Sequence, residues 1–278
     1  MGERLDGKIA ALTIKEELKK AFNEGTRKAC LAIIRFDDPA SESYLKGRLK
    51  IAEELGVIIK TYTFDEKDET NNIVNLINKL NNDNTIDGIM VDRPLPKKYN
   101  ESVILSSINV NKDVDGYTPL NLGNLVSNQD CFSSCTPGAA LRILDFYNID
   151  LTGKNALVIG RSVNVGKPLA LLLLNKNATV TIAHSKTKNL KEKCKEADII
   201  FLALGKANFL SKDDITENTI IVDIGINFDE NGKLCGDANR ECYEIAKAYT
   251  PVPGGVGIMT NVLLMENLLK AYKRNISK

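Results

Sequence analysis

An apolar run at 156–159 ends at Gly160, and Arg161-Ser162-Val163-Asn164-Val165-Gly166-Lys167-Pro168 leads from it into the apolar block 169–174. No other segment restricts the fold as much. It predicts a strand, a tight turn and a helix that Pro168 helps to start, so that free helical N–H groups face whatever lies above the turn. Two glycines at this spacing depart from the common dinucleotide fingerprint, and alone they indicate only a turn needing positive φ. Arg161 and Ser162 decide the matter. A full positive charge added to the partial charge of a helix N-terminus makes a turn built to hold phosphate.

The same grammar recurs along the second half. Strands are expected at 156–159, 178–183, 198–204 and 219–224, with helices at 168–175 and 190–195 and a short turn around Asp213. This pattern describes a doubly wound, Rossmann-type parallel sheet. The first third alternates likewise. Strand-like runs at 30–36, 56–64 and 87–91 flank an amphipathic helix at 41–55, with Leu45, Leu49 and Ala52 on one face, and a second helix at 70–80. The fold expected is therefore α/β, with two α/β domains of which the second is doubly wound. Gly116, Pro119, Gly123 and Pro137 mark a boundary within 115–140. The division expected is 1–118 with 261–278 as a catalytic domain, and 119–260 as the nucleotide domain. The last helix, 261–273, would return to the first.

Composition excludes several classes of function. Thirty-seven Lys and Arg against 36 Asp and Glu leave a net charge of +1, so no global field favours nucleic acid or an acidic membrane surface. The longest apolar run is too short to span a bilayer, and the charged N-terminus does not read as a signal peptide. Six scattered cysteines without a C-x-x-C pair read as reduced cytosolic thiols. The single histidine, His184, rules out a multi-histidine metal site, and no metal is expected. A general base must come from Lys, Tyr, Asp or Glu.

Three further segments carry candidate chemistry. The strand 178–183 runs into His184-Ser185-Lys186-Thr187, where a doubly wound fold meets the adenosine ribose. A carboxylate there would select a free 2′-hydroxyl. None is present, and Ser185 and Lys186 with Arg161 favour the 2′-phosphate of NADP, with NAD left open. The stretch 250–260 carries Pro251, Pro253, Gly254, Gly255 and Gly257, and keeps Val252, Val256, Ile258 and Met259 for a binding loop. Tyr44 and Arg48 lie one helical turn apart, opposite the Leu45–Leu49–Ala52 face, where a solvated charged surface is the plain alternative. Asp113 and Asp115 read first as turn formers.

Taken together, these segments resemble the methylenetetrahydrofolate dehydrogenase/methenyltetrahydrofolate cyclohydrolase family. The matching motifs are Gly88-Ile89-Met90-Val91, Pro94-Leu95-Pro96, Lys112-Asp113-Val114-Asp115-Gly116, Cys135-Thr136-Pro137, Gly160-Arg161-Ser162 through Pro168, Ala178-Thr179-Val180-Thr181 and Pro251-Val252-Pro253-Gly254-Gly255-Val256-Gly257. The resemblance runs nearly end to end. It implies a cytoplasmic homodimer acting on tetrahydrofolate one-carbon derivatives with NADP, in a cleft against the nicotinamide domain. Tyr44 would stack on the pterin and Asp115 would hydrogen-bond it. Val91, Asp92, Arg93 and Pro253 to Gly257 would line the substrate site, with 253–261 closing over it. Gly160, Arg161, Ser162, Val165, Gly166, Ser185 and Ile226 would contact the dinucleotide. Hydride would pass from the folate methylene carbon to NADP+, and water would then open the methenyl ring.

The family carries a lysine, credited with proton transfer, where this chain has Arg48, and a glutamine where it has Asp92. It also places a glycine differently around Gly138-Ala139 and a proline where this chain has Ile258. Lys46 and Lys50 flank Arg48 but point about 200° around the helix from it. Arginine stays charged, so hydride transfer is expected to survive while hydrolysis is low or absent unless Asp92 itself serves as base. A folate- and nucleotide-binding homologue with a regulatory role is the alternative. A dehydrogenase for small hydroxy or amino acids is disfavoured by the lack of a histidine beside a carboxylate.

Overall fold

The computed structural model describes residues 1–36, 39–65 and 67–277, with the backbone alone at 39–41, 43 and 44. In chain order the elements are β1 (Glu3–Arg4), α1 (Gly7–Asn23), β2 (Cys30–Phe36), α2 (Pro39–Leu55), β3 (Ile58–Phe64), α3 (Thr70–Asn82), β4 (Gly88–Val91), α4 (Glu101–Ser106), α5 (Pro119–Val126) and α6 (Cys135–Phe146). There follow β5 (Asn155–Ile159), α7 (Gly166–Asn175), β6 (Thr179–Ala183), α8 (Leu190–Glu196), β7 (Ile199–Leu202), β8 (Ile220–Asp223), β9 (Asn227–Phe228), β10 (Leu234–Cys235), α9 (Cys242–Ile245), β11 (Ala248–Tyr249) and α10 (Val256–Ile276).

These elements form two compact units, residues 13–133 with 264–278 and residues 1–12 with 134–263. The observed division falls at 133/134, inside the Gly/Pro-marked window but later than the expected 118/119. Its glycines and prolines belong largely to helix starts: Thr118 caps α5, accepting from the Asn121 N–H, with Pro119 in the first turn. The first twelve residues join the second unit because β1 pairs in parallel with β11.

The first unit is built on a parallel sheet of order β3-β2-β4. β2 is central and buried nearly throughout, as the continuous apolar run Cys-Leu-Ala-Ile-Ile requires. Against one face pack Ile73, Ile77 and Leu80 of α3, spaced for a single helical stripe. In α2 the buried residues are Leu45, Ile51, Ala52 and Leu55, whereas Leu49 is 43% exposed. The apolar stripe is thus rotated from the expected one.

The second unit has a six-stranded sheet, β1-β11-β8-β7-β5-β6, all of it parallel. The chain runs outward from β5 to β6, then crosses back to β7 on the other side of β5. That reversal creates the crevice at the carboxyl ends of β5 and β7 where doubly wound sheets take ligands. Leu157, Ile159, Ile200, Leu202 and Ile221 form its core. The last helix begins at Val256, not 261, because Val256, Met259 and Leu263 bury at helical spacing. The expected binding loop 253–261 therefore shrinks, and Val256 and Met259 are core residues.

Candidate functional site

The turn after β5 is shaped by close backbone approaches. Gly160 has φ of +135°, and a Cβ there would stand 2.4 Å from the Ala203 carbonyl oxygen at the end of β7. A Cβ on Gly166 would stand 2.2 Å from the Gly160 oxygen. Ser162 Oγ accepts from the N–H groups of Val165 at 3.1 Å and Gly166 at 3.4 Å, folding the turn onto the start of α7. Helix α7 thus begins at Gly166, two residues before Pro168. Arg161, Ser162 and Val163 remain exposed above it.

The Gly160 N–H donates to the Ala183 oxygen at 2.9 Å, so this turn lies beside the end of β6. There the His184 N–H donates to Thr187 Oγ1 at 2.8 Å and the Lys186 N–H to His184 Nδ1 at 3.1 Å. Ser185 and Lys186 are exposed on this strand end, next to the turn that carries Arg161. The glycine turn and the cationic side chains thus share the carboxyl end of the sheet, a donor set that fits a phosphorylated dinucleotide. Ile226, after β8, is 52% exposed.

A carboxylate network on the same sheet escaped sequence reasoning. Asp237 is fully buried and accepts N–H groups from Leu204 at 2.7 Å, Gly205 at 3.1 Å and Lys206 at 2.7 Å, and from the Asn227 amide at 2.9 Å. Asp223 accepts from Gly225, Asp237 and Ala238. Burial pushes the Asp223 carboxyl up to about 6 despite these three donors. Together they fix the loops that follow β7 and β8. The only hint in the sequence was the Gly225 and Gly236 spacing, where a Cβ would strike the Asp237 and Asp223 carboxylates.

Gly254 and Gly255 serve the protein's own packing. Gly254 has φ of +113°, and its carbonyl accepts the Gly7 N–H at 2.8 Å. A Cβ on Gly255 would stand 2.6 Å from the Pro251 oxygen. Val256 is buried, whereas Pro253 and Gly257 are exposed.

In the first unit, the carboxyl end of β4 holds the other group of candidates. The Asp92 N–H donates to the Ile34 oxygen at 2.8 Å, extending the β2–β4 pairing past buried Val91. Arg48 Nη1 donates to Asp92 Oδ1, and the two side chains are only 11% and 8% exposed. Arg48 is therefore not on a solvated face, as its helical position first allowed. Its Nε is buried without a hydrogen-bond partner. The Arg93 guanidinium lies 3.4 Å from the centroid of the Tyr117 ring. The Asp113 carboxylate organises its own loop, accepting N–H groups of Gly116, Tyr117 and Thr118 and the Asn121 amide. Asp115, the residue expected to meet the folate, is 8% exposed on the same loop. The Tyr44 side chain lies outside the described residues.

Family models match both halves in order: the tetrahydrofolate dehydrogenase/cyclohydrolase catalytic domain over residues 5–115 and the NAD(P)-binding domain over residues 134–276. The chain belongs to the tetrahydrofolate dehydrogenase/cyclohydrolase family. Among relatives, it is 45% identical to the bifunctional protein FolD of Clostridium novyi (strain NT), covering 98% of this chain and all of that one. The corresponding protein of Bacillus subtilis (strain 168) is 44% identical, with 98% of each covered. Among solved structures, the bifunctional FolD dehydrogenase/cyclohydrolase of Campylobacter jejuni superposes with a TM-score of 0.96 at 42% identity, covering 99% of both chains. A Trypanosoma brucei member, solved with NADP cofactor and an inhibitor, gives 0.92 at 28% identity, covering all of this chain and 99% of that one. Among the described residues no cluster of three or more His, Cys, Asp or Glu could hold a metal ion, and no helix is long and apolar enough to cross a membrane.

Proposed function

We propose that this chain oxidises 5,10-methylenetetrahydrofolate to 5,10-methenyltetrahydrofolate with NADP+ and then, contrary to the low hydrolysis expected from Arg48, hydrolyses the product to 10-formyltetrahydrofolate. Relatives over the whole chain that are bifunctional support the second step. The observation that carries this reading is the match of both family domains, in order, on a chain whose doubly wound sheet ends in a phosphate-shaped turn. When bound, NADP+ supplies the hydride acceptor. The N-terminus of α7 with Gly160, Ser162, Val165 and Gly166 would take the pyrophosphate, and Arg161 and Ser185 the 2′-phosphate. Ile226 would lie against the dinucleotide. Tyr44, Val91, Asp92, Arg93 and Asp115 would position the folate. Negative charge at Asp92 would favour the cation that forms as hydride leaves the methylene carbon. The proposal extends to a cytoplasmic homodimer, as the resemblance implies. Mixing the protein with methylenetetrahydrofolate and NADP+ tests the reading: NADPH absorbance should rise with enzyme. No NADPH above the enzyme-free control would end it.

A further inference from the structure

The strand order of the second unit reverses at β5, and this divides its crevice in two. A doubly wound sheet takes a dinucleotide across such a point, one mononucleotide on each half. The β5–β6 half carries Gly160, Arg161 and Ser185 and suits the phosphorylated adenosine. The nicotinamide half then falls to the loops after β7 and β8, which expose Gly205 and Lys206 in one and Ile226 in the other. A single carboxylate ties these two loops together. The Leu204, Gly205 and Lys206 N–H groups, three in succession, turn inward to Asp237, and the Asn227 amide reaches it from the loop after β8. Donors used in this way are lost to a phosphate, so this half of the crevice is unlike the turn after β5. Gly205 has φ of +66° and no heavy atom within 4 Å of where a Cβ would stand, which leaves open space beside the curled loop. Gly225 closes in from the other side, where a Cβ would stand 2.4 Å from Asp237 Cγ and Oδ1.

We propose that Asp237 is the positioning residue for the nicotinamide half of the cofactor, an inference that rests on the NADP reading above. It acts through the loops it joins, which set where Ile226 and the 204–206 backbone meet the ring. Hydride transfer is sensitive to such placement, since a displacement of about 1 Å can cost about 100-fold. Asp237 is itself held: its N–H donates to Asp223 Oδ1 at 3.0 Å, and its carbonyl accepts the Leu210 N–H at 3.0 Å. Two donors meet each of its carboxylate oxygens, which fills the about four lone-pair sites of the group. An asparagine there would offer one oxygen and set its own N–H groups against the remaining donors. The adenosine half does not depend on this carboxylate. Ala203, whose carbonyl oxygen abuts Gly160, is kept in the sheet by its own N–H bond to the Ile159 oxygen at 2.9 Å.

Calorimetry on the full chain compares NADP+ with adenosine 2′,5′-bisphosphate, the phosphorylated adenosine half alone. Asp237→Asn should leave the affinity for this fragment unchanged and weaken NADP+ relative to it by about tenfold. NADPH formation at saturating NADP+ should show kcat lowered by about 100-fold in the same variant. Asn227→Ala removes one donor and keeps the three backbone N–H groups on Asp237, so it should stay folded even if Asp237→Asn does not. It should lower kcat by about tenfold with fragment binding again unchanged, and Asn227→Gln, which keeps the amide, should recover part of the loss. Equal losses of NADP+ and fragment affinity would mean general damage to the unit and would overturn the assignment. So would a wild-type kcat in Asn227→Ala. Wild-type protein that binds NADP+ but forms no NADPH would instead strike the folate reading, and the binding comparison would still decide the role of Asp237. Wild type that binds neither ligand would strike the NADP reading and this inference with it.

Discussion

The backbone N–H of Asp237 donates to Asp223 Oδ1 at 3.0 Å, so two buried acids at the ends of different segments share one hydrogen-bond network. Each carboxylate then collects N–H groups from loops that border the proposed cofactor crevice. The arrangement ties the shape of those loops to the ionisation of a single buried side chain.

Asp223 makes the stability of this protein fall as the pH rises through about 6. Its folded carboxyl holds the proton more tightly than an unfolded aspartate, which titrates near 4. The contribution is therefore present in full below about 4 and lost on passing upward through about 6. The difference corresponds to roughly 3 kcal/mol. Urea unfolding between these limits should show the slope in wild type, and Asp223→Asn should flatten it. An unchanged slope in that variant would remove Asp223 as its source.

Asp237→Ala strands four donors at once. At about 1 kcal/mol for each of these part-buried donors left unpaired, a loss of about 4 kcal/mol is expected. Denaturant midpoints should fall accordingly. NADP+ affinity should fall as well, because the loops after β7 and β8 lose their anchor.

Gly166→Ala should damage cofactor binding more than stability. The added methyl would meet the Gly160 oxygen at 2.2 Å and carbon at 2.6 Å, and both are backbone atoms that cannot swing away. The turn itself must move. Calorimetry should show weaker NADP+ binding by tenfold or more, on the order of 1.4 kcal/mol. Wild-type affinity would mean the turn is not the phosphate site.

Arg161→Ala should erode the preference for NADP+ over NAD+. A charge-assisted bond to the 2′-phosphate contributes about 1.5–3 kcal/mol, so NADP+ affinity should drop about 10- to 100-fold while NAD+ affinity changes little. Equal affinity of the wild type for both cofactors would sink the assignment.

Asp115→Ala should weaken folate binding by a few kcal/mol, on the order of a lost hydrogen bond to a charged partner. Asp113→Ala should instead lower the unfolding midpoint, since that carboxylate organises the turn from Gly116 to Thr118. Swapped outcomes would reverse the roles of the two acids.

The doubly wound sheet was legible because its central strands β5 and β7 bury nearly throughout and read as apolar runs, the first closed by a glycine turn. Two-residue strands such as β1 and β11 were not, since no periodicity exists in two residues. The start of helix α10 was read five residues late: Gly254, Gly255 and Gly257 look like a loop, although helical burial begins at Val256. At the candidate site, Arg48 and Asp92 could be named from the chain, but their contact could not, because it joins a helix to a strand end 44 residues apart. The Asp223–Asp237 network was invisible for a related reason. Its partners, the Asn227 amide apart, are backbone N–H groups, which every residue but proline possesses.

The pairing of Glu3 with Ala248 has a consequence for how the molecule comes into being. Strand β1 leaves the ribosome long before its neighbour, β11, exists. The other unit waits longer still, since it includes residues 264–278. Neither half can reach its final form by N-terminal-first folding, the usual order during synthesis. A nascent chain halted before residue 248 would carry an unfinished six-stranded sheet and a first unit still lacking residues 264–278, so losing the last helical turns would injure the half whose own sheet was made first.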